Sequence, residues 1–223
     1  MGRTKHRPIA EGIISQKNAL LFAIILGIIS FLSLFFINNL LSALLALGGG
    51  FFYVAIYTLY LKKRTIQNIV VGGAAGAFPP LVGYAAVSNT ITLEAIYLFV
   101  IIFFWTPPHF WALAIMIKDD YAKAKIPMLP VVKGVENAAL QIFLYSILLI
   151  LITTLTILVS PSLGTIYLIS SLILGFLLIY KSFRLYKSLE RSDAVSTYKY
   201  SLLYLFLLML AVMIDSSVNF LDF

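Results

Sequence analysis

Two adjacent carboxylates, Asp119 and Asp120, are the residues of this sequence best suited to holding a metal ion. They lie in a polar connector, residues 118–134, that separates two long apolar stretches. Carboxylate oxygens bind hard divalent cations, and Mg²⁺ held by one or two carboxylates commonly bridges to a phosphate group. A loop at a membrane surface with ordinary solvated charges would have the same composition, and the loop alone favours that second interpretation.

Two clusters of basic residues could bind the oxygens of a phosphate. Arg3 and Arg7 lie near the start of the sequence, and Lys62, Lys63 and Arg64 follow its second apolar stretch. Guanidinium and ammonium groups bind phosphate through charge-assisted hydrogen bonds. Taken alone, each cluster is more simply explained as a determinant of membrane topology or as a contact to anionic lipid.

An ionisable residue, His109, lies inside an apolar stretch and is flanked by Trp105 and Trp111. It precedes Lys118 by nine residues, which places it about 13 Å inside the end of a helix. An ionisable group at that depth in a membrane usually marks a functional site. A neutral histidine hydrogen-bonded to a neighbouring helix is an equally good interpretation, and the flanking rings suit either a flat apolar substrate or simple packing.

The composition indicates that lipid is the solvent for most of the protein surface. Of the 223 residues, 61% are hydrophobic and 11% are charged, whereas a soluble domain keeps roughly a quarter of its residues charged. Seven apolar stretches have about the 20 residues that a helix needs to cross the hydrocarbon layer. They are residues 19–37, 40–61, 69–87, 95–117, 138–159, 163–180 and 198–214. The sequence therefore predicts an all-α fold, a polytopic transmembrane bundle of about seven helices.

The basic residues all fall on one side of these predicted spans. With the N-terminus placed in the cytoplasm, the inward-facing segments hold all 16 lysine and arginine residues, and the outward connectors hold none. Basic residues accumulate on the cytoplasmic side of membrane proteins, so the pattern supports the span count and the orientation together. The C-terminus is then outside, and the candidate residues gather at a cytoplasm-facing site. The net charge of +7 reflects this topology rather than binding to nucleic acid.

Small residues and prolines mark three of the spans. Residues 48–50 and 72–76 are all glycine or alanine, which favours close helix packing, although accessible backbone there could also line a cavity. Pro79-Pro80 and Pro107-Pro108 remove backbone donors and are expected to bend or break their helices. No repeat or linker divides the chain, so we expect residues 1–223 to form a single transmembrane domain.

Together these segments resemble the protohaem IX farnesyltransferases (haem O synthases), a branch of the UbiA-type intramembrane prenyltransferases. The matching strings are Arg3-Thr4-x-x-Arg7-Pro8, Tyr57-Thr58-x-x-Leu61-Lys62-x-Arg64-Thr65 with Asn68-Ile69-Val70, residues 72–83, residues 105–114, residues 118–122 and residues 126–132. The string around His109 is specific to the haem branch. One departure is Lys125, where the family usually has glycine.

The resemblance also implies nine spans, with an Asn-Asp-x-x-Asp-x-x-x-Asp motif directly before the string that contains Arg3. Because the sequence starts at that string, we expect a form that lacks two N-terminal spans and the first Asp-rich motif. A start set too far downstream, a fragment and an inactive paralogue would each have this appearance.

The resemblance implies an enzyme that transfers a farnesyl group from farnesyl diphosphate to haem B, giving haem O and pyrophosphate. Its cofactor would be Mg²⁺, held with the diphosphate by Asp119 and Asp120. Lys62, Lys63 and Arg64 would stabilise the departing pyrophosphate as catalytic residues. The residues expected to bind substrate are Arg3 and Arg7 as secondary phosphate contacts, His109, Trp105 and Trp111 as a haem-facing wall, and Tyr57, Asn68 and Tyr121.

The expected partners are the two substrates, with haem B as substrate rather than cofactor, and membrane lipid, but no nucleic acid. Haem A synthase and terminal oxidase assembly factors are further candidates, and the expected location is the cell membrane. Two alternatives stay open: a related prenyltransferase acting on a quinone or lipid acceptor, and a catalytically inactive membrane protein. An acceptor panel would distinguish the first, and a lack of Mg²⁺-dependent diphosphate binding would support the second.

Overall fold

The structure is a computed structural model that describes residues 6–221, and this part of the chain is helical and without strands. The helices are α1 (Gln16–Ile37), α2 (Leu40–Phe51), α3 (Asn68–Ser88), α4 (Leu93–Met116), α5 (Lys118–Lys123), α6 (Leu129–Val132), α7 (Gly134–Leu155), α8 (Thr165–Ser188) and α9 (Arg191–Leu221). A π-helix, Phe52–Leu61, continues α2, and a 3-10 turn, Thr156–Leu158, continues α7. Seven of the resulting helices are long and apolar enough to cross a membrane. The all-α transmembrane bundle and its seven spans are thus confirmed.

The last helix begins earlier than its hydropathy predicts, at Arg191 rather than Tyr198. Its first turn is fixed by Asp193, which accepts a hydrogen bond from the Ser188 hydroxyl (2.7 Å) and pairs with Arg184 (3.2 Å). A carboxylate in the first turn also complements the positive end of the helix dipole. A hydropathy profile detects the apolar part of a helix, so the prediction left out the polar residues with which this helix begins.

Side-chain caps begin three of the membrane-spanning helices. The Ser15 hydroxyl, the Asn39 amide oxygen and the Thr92 hydroxyl each accept a backbone N–H of the first turn. Such caps satisfy donors that a helix leaves unpaired. Asn39 also donates to the Ala85 carbonyl oxygen (2.6 Å), which ties the start of α2 to the end of α3.

Helix α4 is the central element of the bundle. It packs against α3, α7 and α9, and eleven of its residues are buried, whereas no residue of α1 is buried. The two proline pairs lie inside continuous helices, Pro79-Pro80 in α3 and Pro107-Pro108 in α4. Neither pair breaks its span, because neighbouring helices hold the segment on both sides of the prolines.

Two apolar clusters organise the interior. One joins α4, α7, α8 and the start of α9 to the loop that contains α5 and α6, and it includes Trp111, Tyr121, Ile126, Met128 and Leu185. The other lies deeper between α4, α7, α8 and α9. The first cluster fastens the loop after α4 to the end of the bundle that carries the basic loops, which we term the basic end.

Candidate active site

The predicted metal ligands, Asp119 and Asp120, lie on α5 at the basic end of the bundle. Asp119 is exposed and Asp120 is half-buried, so both carboxylates can be reached by a ligand. The next residue, Tyr121, is buried in the apolar cluster at this end. The acidic pair therefore directly precedes a residue packed into the bundle, and metal binding by the pair stays a prediction.

A left-handed residue, Lys125, follows this short helix, with φ of 53°. Its N–H donates to the Ala122 carbonyl oxygen and the Ile126 N–H donates to the Tyr121 carbonyl oxygen, both at 3.0 Å. These two bonds form a Schellman motif, which glycine usually completes. The resemblance implies a glycine at position 125, and the structure gives the physical reason. The left-handed backbone there is sterically unfavourable for lysine but not for glycine.

Asn68 joins the two loops that carry the predicted phosphate and metal ligands. It is fully buried, and its side-chain amide donates to the carbonyl oxygens of Thr65 (2.7 Å) and Pro127 (3.3 Å). Its Oδ1 has no hydrogen-bond partner among the described residues. Asn68 thus positions the site in this structure, while direct substrate binding stays a prediction.

The basic cluster Lys62, Lys63 and Arg64 follows the π-helix directly. Lys62 is half-buried, and the other two are exposed. The Arg64 guanidinium lies over the Tyr60 ring, 4.6 Å from its centroid, which is a cation–π arrangement. The stacked ring limits where this guanidinium can reach at the basic end.

The N-terminal basic residues are less defined by the structure. Arg7 is exposed in a turn before α1, where its carbonyl oxygen accepts the Glu11 N–H at 3.0 Å. Arg3 lies outside the described residues. Phosphate contact by either arginine stays a prediction.

A cavity of about 470 Å³ lies between α2 with its π-helix, α3 and α4. Its lining residues are small, aliphatic or aromatic: Gly49, Gly50, Tyr53, Tyr57, Ile69, Gly72, Gly73, Ala75, Gly76, Ile102, Trp105, Thr106 and Phe110. A volume of this size is typical of small-molecule sites, which are mostly apolar with a few polar groups. The cavity can shelter an apolar chain from water.

The glycines serve both of the roles that the sequence left open. A methyl group added to Gly49 would meet Phe78 at 2.9 Å, and one added to Gly73 would meet Thr106 at 3.0 Å, so these two glycines allow close packing. A methyl group added to Gly50 or Gly76 would meet nothing within 4 Å. The same stretches therefore pack helices together and leave cavity space beside them.

Two lining residues, Tyr57 and Ile69, show where the cavity lies relative to the acidic loop. Tyr57 lies on the π-helix, a rare element that often occurs at functional sites. Its ring fills the space beside Gly72, where any added carbon would overlap it, and it contacts the Tyr53 ring at 5.6 Å. Ile69 packs in the same apolar cluster as Tyr121, the residue that follows the acidic pair. The cavity therefore reaches the basic end close to the predicted metal ligands.

His109 is hydrogen-bonded to the last helix. Its Nδ1 lies 2.8 Å from the Ser201 hydroxyl, its ring stacks between Trp105 (4.3 Å) and Tyr198 (4.8 Å), and its side chain is buried. Trp105 donates from Nε1 to the Ser201 carbonyl oxygen at 2.7 Å and lines the large cavity. Trp111 borders a different cavity. Trp105 and His109 thus lie together beside Ser201, whereas Trp111 borders separate space, and haem contact by each of the three stays a prediction.

The arrangement fits a metal that arrives together with its phosphate ligand. Within residues 6–221, no group of three or more metal-ligating side chains occurs. Mg²⁺ commonly keeps several waters and uses one or two protein carboxylates with substrate phosphates. Asp119 and Asp120 can supply that number of ligands.

Sequence reasoning missed several residues of the cavity wall, among them Tyr53, Ile102 and Phe110. A signal was present, because lining residues recur every three or four positions, as at 49, 53 and 57, or at 102, 106 and 110. This spacing places side chains on one face of a helix. Without a polar opposite face, however, such a stripe could not be distinguished from one that faces lipid.

Comparison with known proteins places these features in a family context. The sequence profile of the UbiA prenyltransferase family matches residues 1–211. The chain is 54% identical over 218 residues to the protoheme IX farnesyltransferase of Thermus thermophilus, covering 98% of this chain and 36% of that protein. It is 48% identical over 217 residues to the same-named protein of Picosynechococcus sp., covering 97% and 68%. For that of Gloeobacter violaceus the identity is 52% over 217 residues, covering 97% and 71%.

The chain therefore spans about a third of the length of the Thermus relative and about two thirds of the two others. No solved structure shows a significant match.

Proposed function

Because the chain belongs to the UbiA prenyltransferase family, we propose that it transfers a farnesyl group from farnesyl diphosphate to haem B, yielding haem O and pyrophosphate. In this reaction the allylic C–O bond of the diphosphate breaks, pyrophosphate leaves, and a new C–C bond joins the farnesyl group to the terminal carbon of a haem vinyl group. The vinyl π bond supplies the electron pair of the new bond, and water captures the cation left on the adjacent carbon with loss of a proton, which gives the hydroxyl group of haem O. The name that these relatives share, protoheme IX farnesyltransferase, supports the choice of acceptor.

The observation that carries the proposal is the apolar cavity that reaches the acidic loop. None of its described lining residues is charged, so an allylic cation formed there would be protected from water and from capture by protein carboxylates. The rings of Tyr53, Tyr57 and Trp105 would offer that cation their electron-rich faces. The diphosphate end would lie near Tyr57, next to the loop that carries the acidic pair.

The charged residues at the basic end have separate roles in this proposal. Asp119 and Asp120 would bind the metal that accompanies the diphosphate, and Lys62, Lys63 and Arg64 would stabilise charge on the leaving pyrophosphate. Preorganised positive groups of this kind act where charge develops in the transition state.

The family uses a divalent metal together with the diphosphate, and we propose that the ion here is Mg²⁺. When bound, it would neutralise charge on the diphosphate and so favour its departure. Asp119 and Asp120 would hold it, because both are accessible and neither forms an ion pair with another described residue.

The test is to express this chain in membranes without endogenous transferase, supply haem B, farnesyl diphosphate and Mg²⁺, and detect haem O by mass spectrometry. We expect the double change Asp119→Asn with Asp120→Asn to lower product formation at least about 100-fold, the scale seen when transition-state stabilisation is removed. Glu190→Gln, at an exposed acid in the loop between α8 and α9, is the matched control and should retain activity.

Two results would contradict the proposal. Full activity of the double variant would show that the reaction does not require Asp119 and Asp120. Prenylation of a quinone or lipid acceptor in the same membranes, with haem B left unmodified, would assign a different acceptor.

The chain is a polytopic membrane protein, and we further propose that it lies in the cell membrane with its basic end in the cytoplasm. The distribution of lysine and arginine supports this orientation. Cysteines introduced singly into the sequence, which has none, would test it. Lys63→Cys should be shielded from an impermeant thiol reagent in intact cells, while Thr90→Cys, at an exposed residue of the connector between α3 and α4, should react.

A further inference from the structure

A second cavity, of about 230 Å³, lies at the basic end on a different part of α4 from the large cavity. It is bordered by the segment before α3, by α4, α6 and the first three turns of α7. Six of its eight lining residues carry a hydrogen-bond donor: Gln67, Trp111, Lys133, Asn137, Gln141 and Tyr145. We propose that this cavity, which we term the polar cavity, binds the oxyanion of a carboxylate or phosphate group.

The wall of the polar cavity contains a stripe of polar residues along α7. Lys133, Asn137, Gln141 and Tyr145 follow each other at intervals of four, which aligns them on one helix face. A polar side chain on a membrane-spanning helix has an unfavourable free energy when it faces lipid, so such side chains usually face a protein partner or a cavity. Here they face the polar cavity, opposite Gln67.

The floor of the polar cavity holds an unpaired donor. Trp111 is 3% exposed, and its Nε1 has no hydrogen-bond partner among the described residues. Its ring is fixed by an edge-to-face contact with Tyr145, with centroids 5.3 Å apart. An indole N–H can only donate, and a buried donor left unpaired carries a free-energy cost that a bound acceptor would remove.

The charge of the polar cavity favours an anion. Lys133 is exposed at its rim and forms no ion pair with another described residue. None of the described lining residues is acidic, while the carboxamides of Gln67, Asn137 and Gln141 can turn their N–H₂ groups inward. Lysine and indole donors together with carboxamides match the acceptor-only oxygens of a carboxylate or phosphate.

The size of the polar cavity indicates a head group rather than a whole amphiphile. At about 230 Å³, it is smaller than typical sites for drug-sized molecules, which begin near 300 Å³. Its position at the end of a membrane-spanning helix allows an apolar tail to remain in lipid or in the bundle. The ligand class is therefore a small oxyanion, either free or carried by a membrane amphiphile. This assignment does not depend on the transferase reaction.

Nuclear magnetic resonance of the ¹⁵N-tryptophan-labelled chain tests the proposal directly. The sequence has two tryptophans, so the spectrum has two indole signals, which the Trp105→Phe variant assigns. Inorganic phosphate, octanoate and dioctanoyl phosphatidylglycerol are titrated separately, with methyl octanoate and dioctanoylglycerol as uncharged counterparts. We expect a saturable downfield shift of the Trp111 indole proton, whereas the Trp105 signal, already bonded to Ser201, stays in place as an internal control.

Variants of two lysines complete the experiment. Lys133→Met should weaken the apparent affinity about tenfold, because the charge-assisted contact is lost. Lys123→Met, at an exposed lysine of α5 that does not border the polar cavity, should leave it within about twofold. An unchanged Trp105 signal in both variants shows that the fold is intact.

The outcomes separate the sources of the oxyanion. A response to phosphate alone identifies a free anion, a response to octanoate but not to phosphatidylglycerol identifies a carboxylate amphiphile, and the reverse identifies a lipid head group. Each of these supports the polar cavity as an oxyanion site. The proposal is overturned if none of the three anions shifts the Trp111 signal, if the uncharged counterparts shift it equally, or if Lys133→Met has no effect.

Discussion

The helices around the large cavity and those of the C-terminal bundle, α7 to α9, are held together in different ways. In the C-terminal bundle, buried tyrosines donate across helices, as Tyr167 does to the Thr153 carbonyl oxygen (2.7 Å) and Tyr200 to the Leu174 carbonyl oxygen (2.9 Å). Around the cavity, Asn39 bonds the start of α2 to the end of α3, but the contacts beside the cavity itself run through glycines against rings and methyl groups, as at Gly49 and Gly73.

This difference distinguishes the C-terminal bundle, which we interpret as a scaffold, from the region around the large cavity, which we interpret as the candidate site. Hydrogen bonds between membrane helices fix one arrangement, because a polar group left unpaired in lipid is costly. Glycine faces bring backbones close but leave gaps wherever the opposite side chain is short. The prenyl chain of the proposed substrate would occupy such gaps, and the cavity lies where hydrogen bonds between helices are few.

In the C-terminal bundle, we expect the largest effect on stability from the hydrogen bonds that the Asp215 carboxylate accepts from another helix. This carboxylate is buried on α9 and accepts the backbone N–H groups of Gly164 and Tyr167 at the start of α8. We expect Asp215→Ala to destabilise the protein by about 3 kcal/mol, the upper range for hydrogen bonds to a charged group, measured as a lower unfolding midpoint in detergent.

A graded variant tests the cause of that loss. Both bonds reach one oxygen, Oδ2, so Asp215→Asn can keep an acceptor there and should recover about half of the stability. The scaffold interpretation fails if Asp215→Ala unfolds like the unaltered chain, or if it alters prenyl-chain preference at unchanged stability.

The cavity side predicts the opposite behaviour, a change in substrate use with little change in stability. Gly76 lines the cavity and has open space where a side chain would extend. Gly76→Phe should reduce turnover of farnesyl diphosphate at least about tenfold, because small changes in the space of an apolar pocket alter substrate discrimination by about this factor. Turnover of the shorter geranyl diphosphate should fall less. Initial rates with the two diphosphates measure the effect.

Gly83 supplies the matched control for this change. It lies on the same helix and also has open space around it, but it does not line the cavity. Gly83→Phe should leave both rates unchanged. Equal loss of the two activities in Gly76→Phe would contradict a role for the cavity in holding the prenyl chain.

The smallest expected effect concerns backbone strain beside the acidic pair. Lys125 has a left-handed backbone, so Lys125→Gly should stabilise the protein by about 0.5–1 kcal/mol. Lys123→Gly, at the last residue of the helix that precedes it, should destabilise because glycine is a poor helix former. Thermal unfolding of the two variants in one detergent compares them, and a lower midpoint for Lys125→Gly would show that no strain is relieved there.

Much of the fold was predictable because its physical causes are local. Hydrocarbon thickness fixes the length of a span, and seven apolar stretches gave seven spans. The candidate site was only partly predictable. The acidic pair and the basic cluster are local strings. No local pattern shows, however, that Trp105 and Trp111 border different cavities or that His109 bonds to Ser201, 92 positions away.

The sequence by itself determined which segments cross the membrane and which connectors share a side, since these depend on hydrophobic length and on the placement of lysine and arginine. Only the tertiary structure decided how each helix is rotated about its axis. In a soluble protein an apolar stripe reveals that rotation, but lipid is as apolar as the protein interior, so the faces of these helices look alike in sequence. The partners of Asp215 and His109, and the two cavities beside α4, follow from those rotations.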